Sequence, residues 1–344
     1  MPTRPLDDGS LRVYDLSTFK VIKAVRGLGA EVSSLACVKR PGSELRDVWL
    51  ASGRRVLKFQ MDSPKMIQSV EDALVDVDLT EEGQEDDILN ELALNTSKTH
   101  IAFSMDSGTV GVVDIATKVL SRMKSKHESV MHVCGSVRFI PDRPREIVSG
   151  GYDTALLHFD FHEGKILSTR RIPPYAVVGG MSLSPPFVMS TAISSTGLIA
   201  AGTADGRLYI GCGGYKVPKA KGSNKKRSRK WEGLKDDEEV IIKIAEGPIV
   251  AVVFEETGML TLSTLLGVMI RFEVEFEEGQ GNVSIVKVWQ QETQGVKKVN
   301  TLVVDDKRVV VGGLTADGQG IFEIWKKEVA DIAYSLYGLS GRKS

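Results

Sequence analysis

The chain has 344 residues, of which 42% are hydrophobic and 26% charged, a composition typical of a globular protein with a sizeable core. Its formal net charge of −1 argues against a protein that coats nucleic acid or a membrane through its overall field. The three cysteines are far apart, so neither a disulfide framework nor a cysteine zinc site is predicted. The N-terminal residues contain no apolar signal-peptide core, and no apolar run reaches the length of a membrane span. We therefore expect an intracellular protein, cytoplasmic or nuclear.

Short apolar runs separated by Asp, Gly and Ser turns recur along the chain. The clearest example is residues 99–120, in which two apolar runs flank a turn at residues 106–108. Gly and Asp tolerate the positive φ angles that tight turns require, so this pattern predicts β-hairpins. The same pattern returns at residues 147–160 and 198–211, which indicates an internal repeat.

Seven units are predicted in chain order, each built as strand a, turn, strand b, turn, strand c and strand d. The first supplies only strands c and d, and the last lacks strand d. The units lie at residues 11–25, 31–70, 88–123, 132–170, 187–245, 249–288 and 299–325. We expect one domain over residues 1–328, followed by a tail at 329–344. Residues 329–339 within that tail are interpreted as either a short helix or a frayed end.

The repeat length identifies the type of repeat. The strand-c ends Asp114 and Asp160 are 46 residues apart, and the turn residues Asp106 and Asp153 are 47 apart. A period near ~40–45 residues with four strands per unit is typical of WD-repeat propellers. A β-sandwich with coincidental spacing is the alternative.

Three dipeptides carry a resemblance to the WD40-repeat β-propeller family. Tyr14-Asp15, Val113-Asp114 and Phe159-Asp160 occupy the Trp-Asp position of those repeats. Residues 87–170, 184–188 and 298–300 are also similar to WD repeat-containing protein 53 and its relatives. The resemblance implies an all-β WD40 β-propeller with seven blade units, the first incomplete.

The incomplete first unit leaves two expectations open. One is that the chain lacks roughly the first forty residues of a seven-bladed propeller, by the repeat length. The other is a propeller of six closed blades, in which the N-terminal strands complete the last blade.

The same resemblance implies a hydrogen-bonded structural network rather than a catalytic one. In the family it joins an Asp in the b–c turn, a Ser in strand b and a His before strand a. The residues that match these positions are Ser104, Asp106, His127, Asp153 and Asp205. Such buried polar groups need partners, since an unpaired one costs about 1–3 kcal/mol.

A charged insertion at residues 215–239 separates strands c and d of one unit. Residues 216–230 contain eight basic and no acidic residues, and such a block repels itself and stays solvated. It is interpreted as a nuclear-localisation cluster, as a patch for RNA or another polyanion, or as a solvated loop. The candidate patch residues are Lys225, Lys226, Arg227, Arg229 and Lys230.

An acidic segment at residues 71–87 contains nine acidic and no basic residues. It is predicted to connect strand d of one unit to strand a of the next, whereas the basic insertion connects c to d. In an up-and-down blade those two connections emerge on opposite faces. The two charged loops are therefore expected to suit unlike partners, or to be solubilising surfaces.

No catalytic or metal-binding motif stands out. His158 and His162 are four residues apart, but they lie at a strand end and its turn, where that spacing does not bring two ligands together. The chain has no G-x-S-x-G elbow, no P-loop and no dinucleotide fingerprint. The sequence predicts a protein that is not an enzyme and needs no cofactor and no metal.

Two functions are predicted from these features. The first is a non-catalytic scaffold for protein partners, which the resemblance extends to a substrate receptor of a cullin-4 ubiquitin ligase. Such receptors usually carry an Arg two places after the strand-c Asp, where this chain has Ser17, Ala116 and His162. The alternative is a nuclear or nucleolar factor for RNA or ribosome biogenesis that uses the basic insertion. A monomer within a larger complex is expected.

Overall fold

The computed structural model describes most of the chain and divides it into two compact units, Met1–Val137 and Arg138–Ser344. The described residues are 9–43, 45–81, 83, 86–128, 133–174, 176–177, 180–181, 184–215, 230–255, 258–276, 283–327 and 335–336. Their regular elements are β-strands and one short 3-10 turn.

The first unit is built from three sheets. The first sheet has the order β1-β2-β6, with β1 (Leu11–Asp15), β2 (Lys20–Val25) and β6 (Ile67–Gln68). The second has the order β3-β4-β5-β7, with β3 (Val32–Lys39), β4 (Arg46–Ser52), β5 (Arg55–Gln60) and β7 (Val75–Asp78). The 3-10 turn, Val70–Asp72, lies between β6 and β7. The third has the order β11-β10-β9-β8, with β8 (Leu89–Leu94), β9 (His100–Met105), β10 (Val110–Asp114) and β11 (Leu120–Arg122).

The second unit holds four four-stranded sheets and one hairpin. The first sheet begins at the division between the units and comprises β12 (Cys134–Phe139), β13 (Glu146–Gly151), β14 (Ala155–Asp160) and β15 (Lys165–Arg171). The hairpin pairs β16 (Ala176–Val177) with β17 (Gly180–Met181). The next sheet comprises β18 (Val188–Ile193), β19 (Ile199–Thr203), β20 (Arg207–Gly211) and β21 (Glu239–Lys243). The last two comprise β22 (Ile249–Phe254), β23 (Met259–Thr264), β24 (Val268–Phe276) and β25 (Val283–Glu292), then β26 (Lys298–Val304), β27 (Arg308–Leu314), β28 (Gly320–Lys326) and β29 (Ser335–Leu336).

The cores form between neighbouring sheets because the central strands are buried on both faces. In the first unit, Trp49 of β4 packs with Leu89 of β8 and Phe103 of β9. In the second unit, Leu208 of β20 packs with Ile249 of β22. Successive residues of a strand point to opposite faces, so a continuous apolar run supplies both interfaces at once.

The seven blade sheets confirm the prediction of an all-β, seven-bladed β-propeller whose first blade is incomplete. The six-bladed alternative is not supported, because β1 and β2 form their own sheet with β6 instead of completing the last one. The last sheet gains β29 as its fourth strand, which pairs with β28 through Ile324 and Leu336. The prediction that this unit lacks strand d was therefore wrong. The other residues of 328–344 lie outside the described part of the chain.

The acidic segment is only partly a connection. The second repeat unit was predicted to end at residue 70, but the structure places its fourth strand at β7, inside the acidic segment. Residues 67–68 instead form β6, which pairs in parallel with β2 of the preceding sheet. Both stretches have local strand patterns, and the packing against β5 selects β7, whose Val77 lies opposite Val56.

One glycine turn in the second unit gives a prediction about stability. Gly206 has φ +79°, and a Cβ atom there would lie 2.0 Å from the carbonyl oxygen of Ala245. We expect Gly206→Ala to lower the free energy of unfolding by about 2–4 kcal/mol, since a left-handed backbone costs about 1–2 kcal/mol and the clash adds to it. Gly318 has the same φ of +79° with no atom within 4 Å, so Gly318→Ala should show the backbone cost alone. Urea unfolding of both variants measures the difference, and equal midpoints would contradict the role of the clash.

Candidate functional site

Three of the residues assigned to the structural network lie in or near the turn between β9 and β10: Asp106 in the turn itself, Ser104 in β9 and His127 after β11. Asp106 accepts a hydrogen bond from Asn90 at 3.0 Å, and the same Asn90 amide donates to the backbone carbonyl of Cys134 at 3.1 Å. The backbone N–H of His127, a buried residue, donates to Gly108 at 3.1 Å. The Ser104 hydroxyl is buried without a hydrogen-bond partner among the described residues. Asn90, which the sequence reasoning missed, thus connects this turn to the backbone of Cys134, also in the first unit.

The other two predicted Asp residues also lie in turns between the second and third strands of their sheets. Asp153 accepts the backbone N–H of Ala155 at 3.2 Å. Asp205 is buried beside Arg207, with 2.7 Å between the carboxylate and the guanidinium Nε, and it also accepts the hydroxyl of Thr203 at 2.5 Å. The Arg207 guanidinium donates in addition to the backbone carbonyl of Pro173 at 2.7 Å. Asp205 therefore belongs to a buried ion pair that ties the turn to a neighbouring segment.

The Asp residues at the ends of the third strands bind their own following turns. Asp15 accepts the backbone N–H of Ser17 at 2.8 Å, and Asp114 accepts that of Thr117 at 2.8 Å. These hydrogen bonds stabilise the carboxylate and lower the pKa of Asp15 and of Asp114. Asp160 accepts the backbone N–H of His162 at 2.9 Å in the same way. All three carboxylates thus have a local turn-forming role.

His158 lies in a buried polar cluster of the second unit. Its two ring nitrogens lie 3.0 Å from the hydroxyl of Ser168 and 3.0 Å from the carboxylate of Glu146. The ring meets Trp231 edge-on, with 5.1 Å between the centroids. Among the described residues no group of three or more His, Cys, Asp or Glu side chains could hold a metal ion. His158 is therefore a buried core residue whose ring nitrogens both have polar neighbours.

The C-terminal part of the charged insertion is buried in the core, although its composition suggests a solvated loop. Trp231 and Leu234 are buried in a hydrophobic cluster with Tyr209, and the indole N–H of Trp231 donates to the carbonyl of Gly197 at 3.0 Å. The ion pair between Arg170 and Glu239 secures the start of β21. Lys230 is exposed. The remaining residues of the candidate patch, Lys225, Lys226, Arg227 and Arg229, lie outside the described residues.

A basic surface depression lies at the turn between β3 and β4. It has a volume of about 700 Å³ and is lined by Lys39, Arg40, Pro41, Gly42, Ser43 and Arg46. Arg40 pairs with Asp62 at 3.2 Å. Lys39 and Arg46 lie directly opposite each other across the two strands, and they make no ion pair with the described residues. Like charges directly opposed in a sheet repel each other, so this position favours an anionic group.

The chain is similar to known WD-repeat proteins. No protein-family model matches it. It is 22% identical over 222 residues to the WD repeat-containing protein 53 homolog of Dictyostelium discoideum, a match that covers 59% of this chain and 56% of the relative. The chain thus spans a little over half the length of that curated relative. No helix among the described residues is long and apolar enough to cross a membrane.

Solved structures show the same fold. A chain of the mitotic checkpoint complex matches with a TM-score of 0.58 at 14% identity, covering 88% of this chain and 76% of that one. The structure of U3-55K matches with a TM-score of 0.59 at 10% identity, covering 88% and 79%. These likenesses show the β-propeller fold that the repeat pattern predicted, and the curated relative is a WD-repeat protein.

Proposed function

We propose that this WD40-type propeller is a non-catalytic platform that binds protein partners inside the cell, in the cytoplasm, the nucleus or both. The observation that carries the proposal is the local role of the polar residues in the turns. The carboxylates of Asp15, Asp114 and Asp205 are bound by groups in or next to their own turns, so they stabilise blades and leave the loops between them as the variable surface. WD-repeat relatives support such a scaffold role.

The platform is tested by capturing the tagged chain from cells after brief crosslinking, and by sizing the complex with light scattering. We expect at least one protein partner at a fixed ratio, retained after nuclease treatment. A chain that stays monomeric at cellular concentration, with no partner above the background of an unrelated propeller, would contradict the proposal.

The finer proposal is that the platform is a substrate receptor of a cullin-4 ubiquitin ligase. The family resemblance supports it, whereas Ser17, Ala116 and His162 stand where such receptors usually carry Arg. The test is direct binding of the purified chain to damage-specific DNA-binding protein one, the adaptor of that ligase. Micromolar or tighter binding would support the receptor role. Absence of binding would remove it and leave the general platform in place.

The alternative proposal, an RNA-associated nuclear factor, rests on the eight basic residues between 216 and 230. Each phosphate contact to single-stranded RNA contributes about −0.7 to the slope of log K against log salt. Neutralising the five candidate patch residues to Gln should therefore reduce that slope by up to about 3.5 and weaken binding. The matched control neutralises five exposed lysines elsewhere, Lys20, Lys124, Lys126, Lys165 and Lys307. Fluorescence anisotropy with a labelled oligouridine measures RNA binding by both variants. Equal effects of the two sets of substitutions would contradict RNA binding through the basic insertion.

A further inference from the structure

The turn that connects β3 to β4 forms the wall of the basic depression. Its backbone is closed by the N–H of Ser43, which donates to the carbonyl of Arg40 at 3.3 Å. Pro41 and Gly42 occupy the two central positions, and Gly42 has φ +77°, the residue pattern of a type II turn. The six lining residues belong to this turn or to the ends of β3 and β4. The depression is therefore defined within a single four-stranded sheet.

The described carboxylates beside the depression are already paired. Asp62 lies 3.2 Å from the guanidinium of Arg40. Asp47 lies 3.2 Å from the ammonium group of Lys58 and 4.0 Å from the guanidinium of Arg40. These two carboxylates balance the charges of Arg40 and Lys58. They leave two further cations of the depression without a counterion among the described residues.

Lys39 and Arg46 are those two cations. They lie directly opposite each other in the register of β3 and β4, a position in which Cβ atoms are about 4.5–5.5 Å apart. Both side chains are exposed. Like charges at this separation repel each other, so an anion with two negative charges would remove the repulsion and balance both cations at once.

The turn adds two uncharged hydrogen-bond donors. The backbone N–H of Gly42 has no acceptor among the described residues, and a Cβ atom at this glycine would have no atom within 4 Å. The hydroxyl of Ser43 accepts the N–H of Leu45 at 3.1 Å, and its own proton is donated to no described group. A glycine with positive φ lets a ligand approach the backbone closely. The depression thus combines two cations with two neutral donors.

This set of donors fits a phosphate monoester better than a carboxylate or a phosphodiester. A phosphorylated side chain has three strong acceptor oxygens and a charge of about −1.5 to −2 at pH 7, which matches the two uncompensated cations. A carboxylate or a phosphodiester carries a single negative charge and leaves one cation unbalanced. The volume of about 700 Å³ also gives space for the residues on either side of a phosphorylated one.

We propose that the β3–β4 turn binds a phosphorylated serine or threonine in an exposed segment of a partner protein, with Lys39 and Arg46 as the cations that hold the phosphate. The N–H of Gly42 and the hydroxyl of Ser43 donate to the remaining phosphate oxygens. Clusters of cations recognise phosphorylated motifs in this way. The proposal deepens the proposed platform function and rests on it, because it names one class of partner and makes its binding depend on phosphorylation.

The binding test uses defined peptides and the full chain, with fluorescence anisotropy as the measurement. The probe is a fluorescein-labelled peptide of nine residues, Gly and Ala in alternation with one central phosphoserine. Its comparators carry serine or aspartate at that position. We expect the phosphoserine peptide to bind with a Kd at least tenfold lower than either comparator. Equal binding of the phosphoserine and serine peptides would overturn the proposal, and equal binding of the aspartate peptide would overturn the choice of phosphate.

Two pairs of substitutions locate the binding. Lys39→Gln combined with Arg46→Gln should raise the Kd of the phosphoserine peptide at least tenfold, and it should not lower the Tm because it removes a repulsive pair. The matched control, Lys124→Gln combined with Lys126→Gln, removes two exposed charges from the same unit and should change the Kd less than threefold. Phosphopeptide binding that survives the first pair, or falls equally in both, would overturn the location.

Hydrogen exchange tests the location without any substitution. Saturating phosphoserine peptide should slow amide exchange at residues 39–43 of the unaltered chain at least fivefold, because the bound peptide covers the turn. The turn between β27 and β28 should exchange at its original rate. Unchanged exchange at residues 39–43, measured by mass spectrometry, would overturn the site even if the substituted chains failed to fold.

Other occupants give different results. Glu44 follows Ser43 in the sequence, and phosphopeptide binding that became more than tenfold tighter in Glu44→Gln would show that the chain's own carboxylate balances the cations. Inorganic phosphate that competed as strongly as the peptide would show a site for free phosphate. Oligouridine that competed equally well would show a site for RNA. Each of these three results would overturn a phosphorylated partner segment.

Capture of cellular partners separates this site from the platform function. Partners that are lost from the chain with Lys39→Gln and Arg46→Gln, and also after phosphatase treatment, would support the site. Partners retained in both cases would overturn the site but leave the platform function intact. A chain that captured no partner, yet discriminated the phosphoserine peptide tenfold, would contradict the platform function while supporting the phosphate site.

Discussion

Replacing Asp205 by alanine is expected to lower the free energy of unfolding by about 3–5 kcal/mol, because it removes the carboxylate that pairs with the buried guanidinium of Arg207. Asp205 and Arg207 are 6% and 4% exposed, and Asp205 also accepts the hydroxyl of Thr203. Urea unfolding followed by tryptophan fluorescence measures the change. Asp205→Asn keeps the volume and one acceptor oxygen, so its loss should be smaller.

The control for this prediction is an ion pair of the same type on the surface. Arg55 of β5 forms an ion pair with Asp76 of β7, diagonally across the two strands, and their side chains are 33% and 42% exposed. Exposed pairs contribute at most about 1 kcal/mol, so Asp76→Ala should shift the urea midpoint only slightly. If the two alanine variants lost the same stability, burial of the Asp205–Arg207 pair would not be the cause.

Replacing Glu323 by alanine is expected to cost a similar amount, about 3–5 kcal/mol, for a different reason. This carboxylate of β28 is 3% exposed and accepts the backbone N–H groups of Gln294, Gly295 and Val296 at 3.2, 2.6 and 2.9 Å. Removing it leaves three backbone donors without this acceptor, one of them in a buried and two in a partly buried hydrogen bond, and each hydrogen bond to a charged group contributes about 1.5–3 kcal/mol. The turn before β26 should also exchange its amide hydrogens faster, which hydrogen-exchange mass spectrometry measures.

Two companion variants make this result interpretable. Glu323→Gln keeps one acceptor oxygen and should lose about 1–3 kcal/mol. Glu246→Ala removes a carboxylate whose side chain is 96% exposed and should change stability by no more than about 0.5 kcal/mol. A loss for Glu323→Ala no larger than that of Glu246→Ala would show that the three backbone bonds do not hold the turn.

The local sequence predicted most strands, because the two features that mark a strand, its apolar pattern and its flanking turn residues, both lie within a few residues. The two apolar runs predicted on either side of the turn at residues 106–108 correspond to β9 and β10 of the structure. The predicted Asp residues at 106, 153 and 205 all lie in turns between second and third strands. The roles of the five network residues as one hydrogen-bonded set stay a prediction, as do the single-domain boundaries.

The errors arose where long-range packing chose between equal local candidates. The second repeat unit was predicted to end at residue 70, and only the pairing with β5 makes residues 75–78 its outer strand. Glu323 has no signal in its own neighbourhood, because its partners lie 27 to 29 residues earlier in the chain. Trp231 follows a basic run, and it is buried in a cluster that includes Val148 and Leu156 of the preceding sheet.

The sequence by itself determined the repeat, the strand class and the turn chemistry of this protein, since backbone preferences and side-chain alternation act over a few residues. Only the tertiary structure decided which strands pair and which carboxylates are buried. These properties depend on residues brought together from distant parts of the chain, as Glu323 shows, because its backbone partners lie 27 to 29 residues earlier.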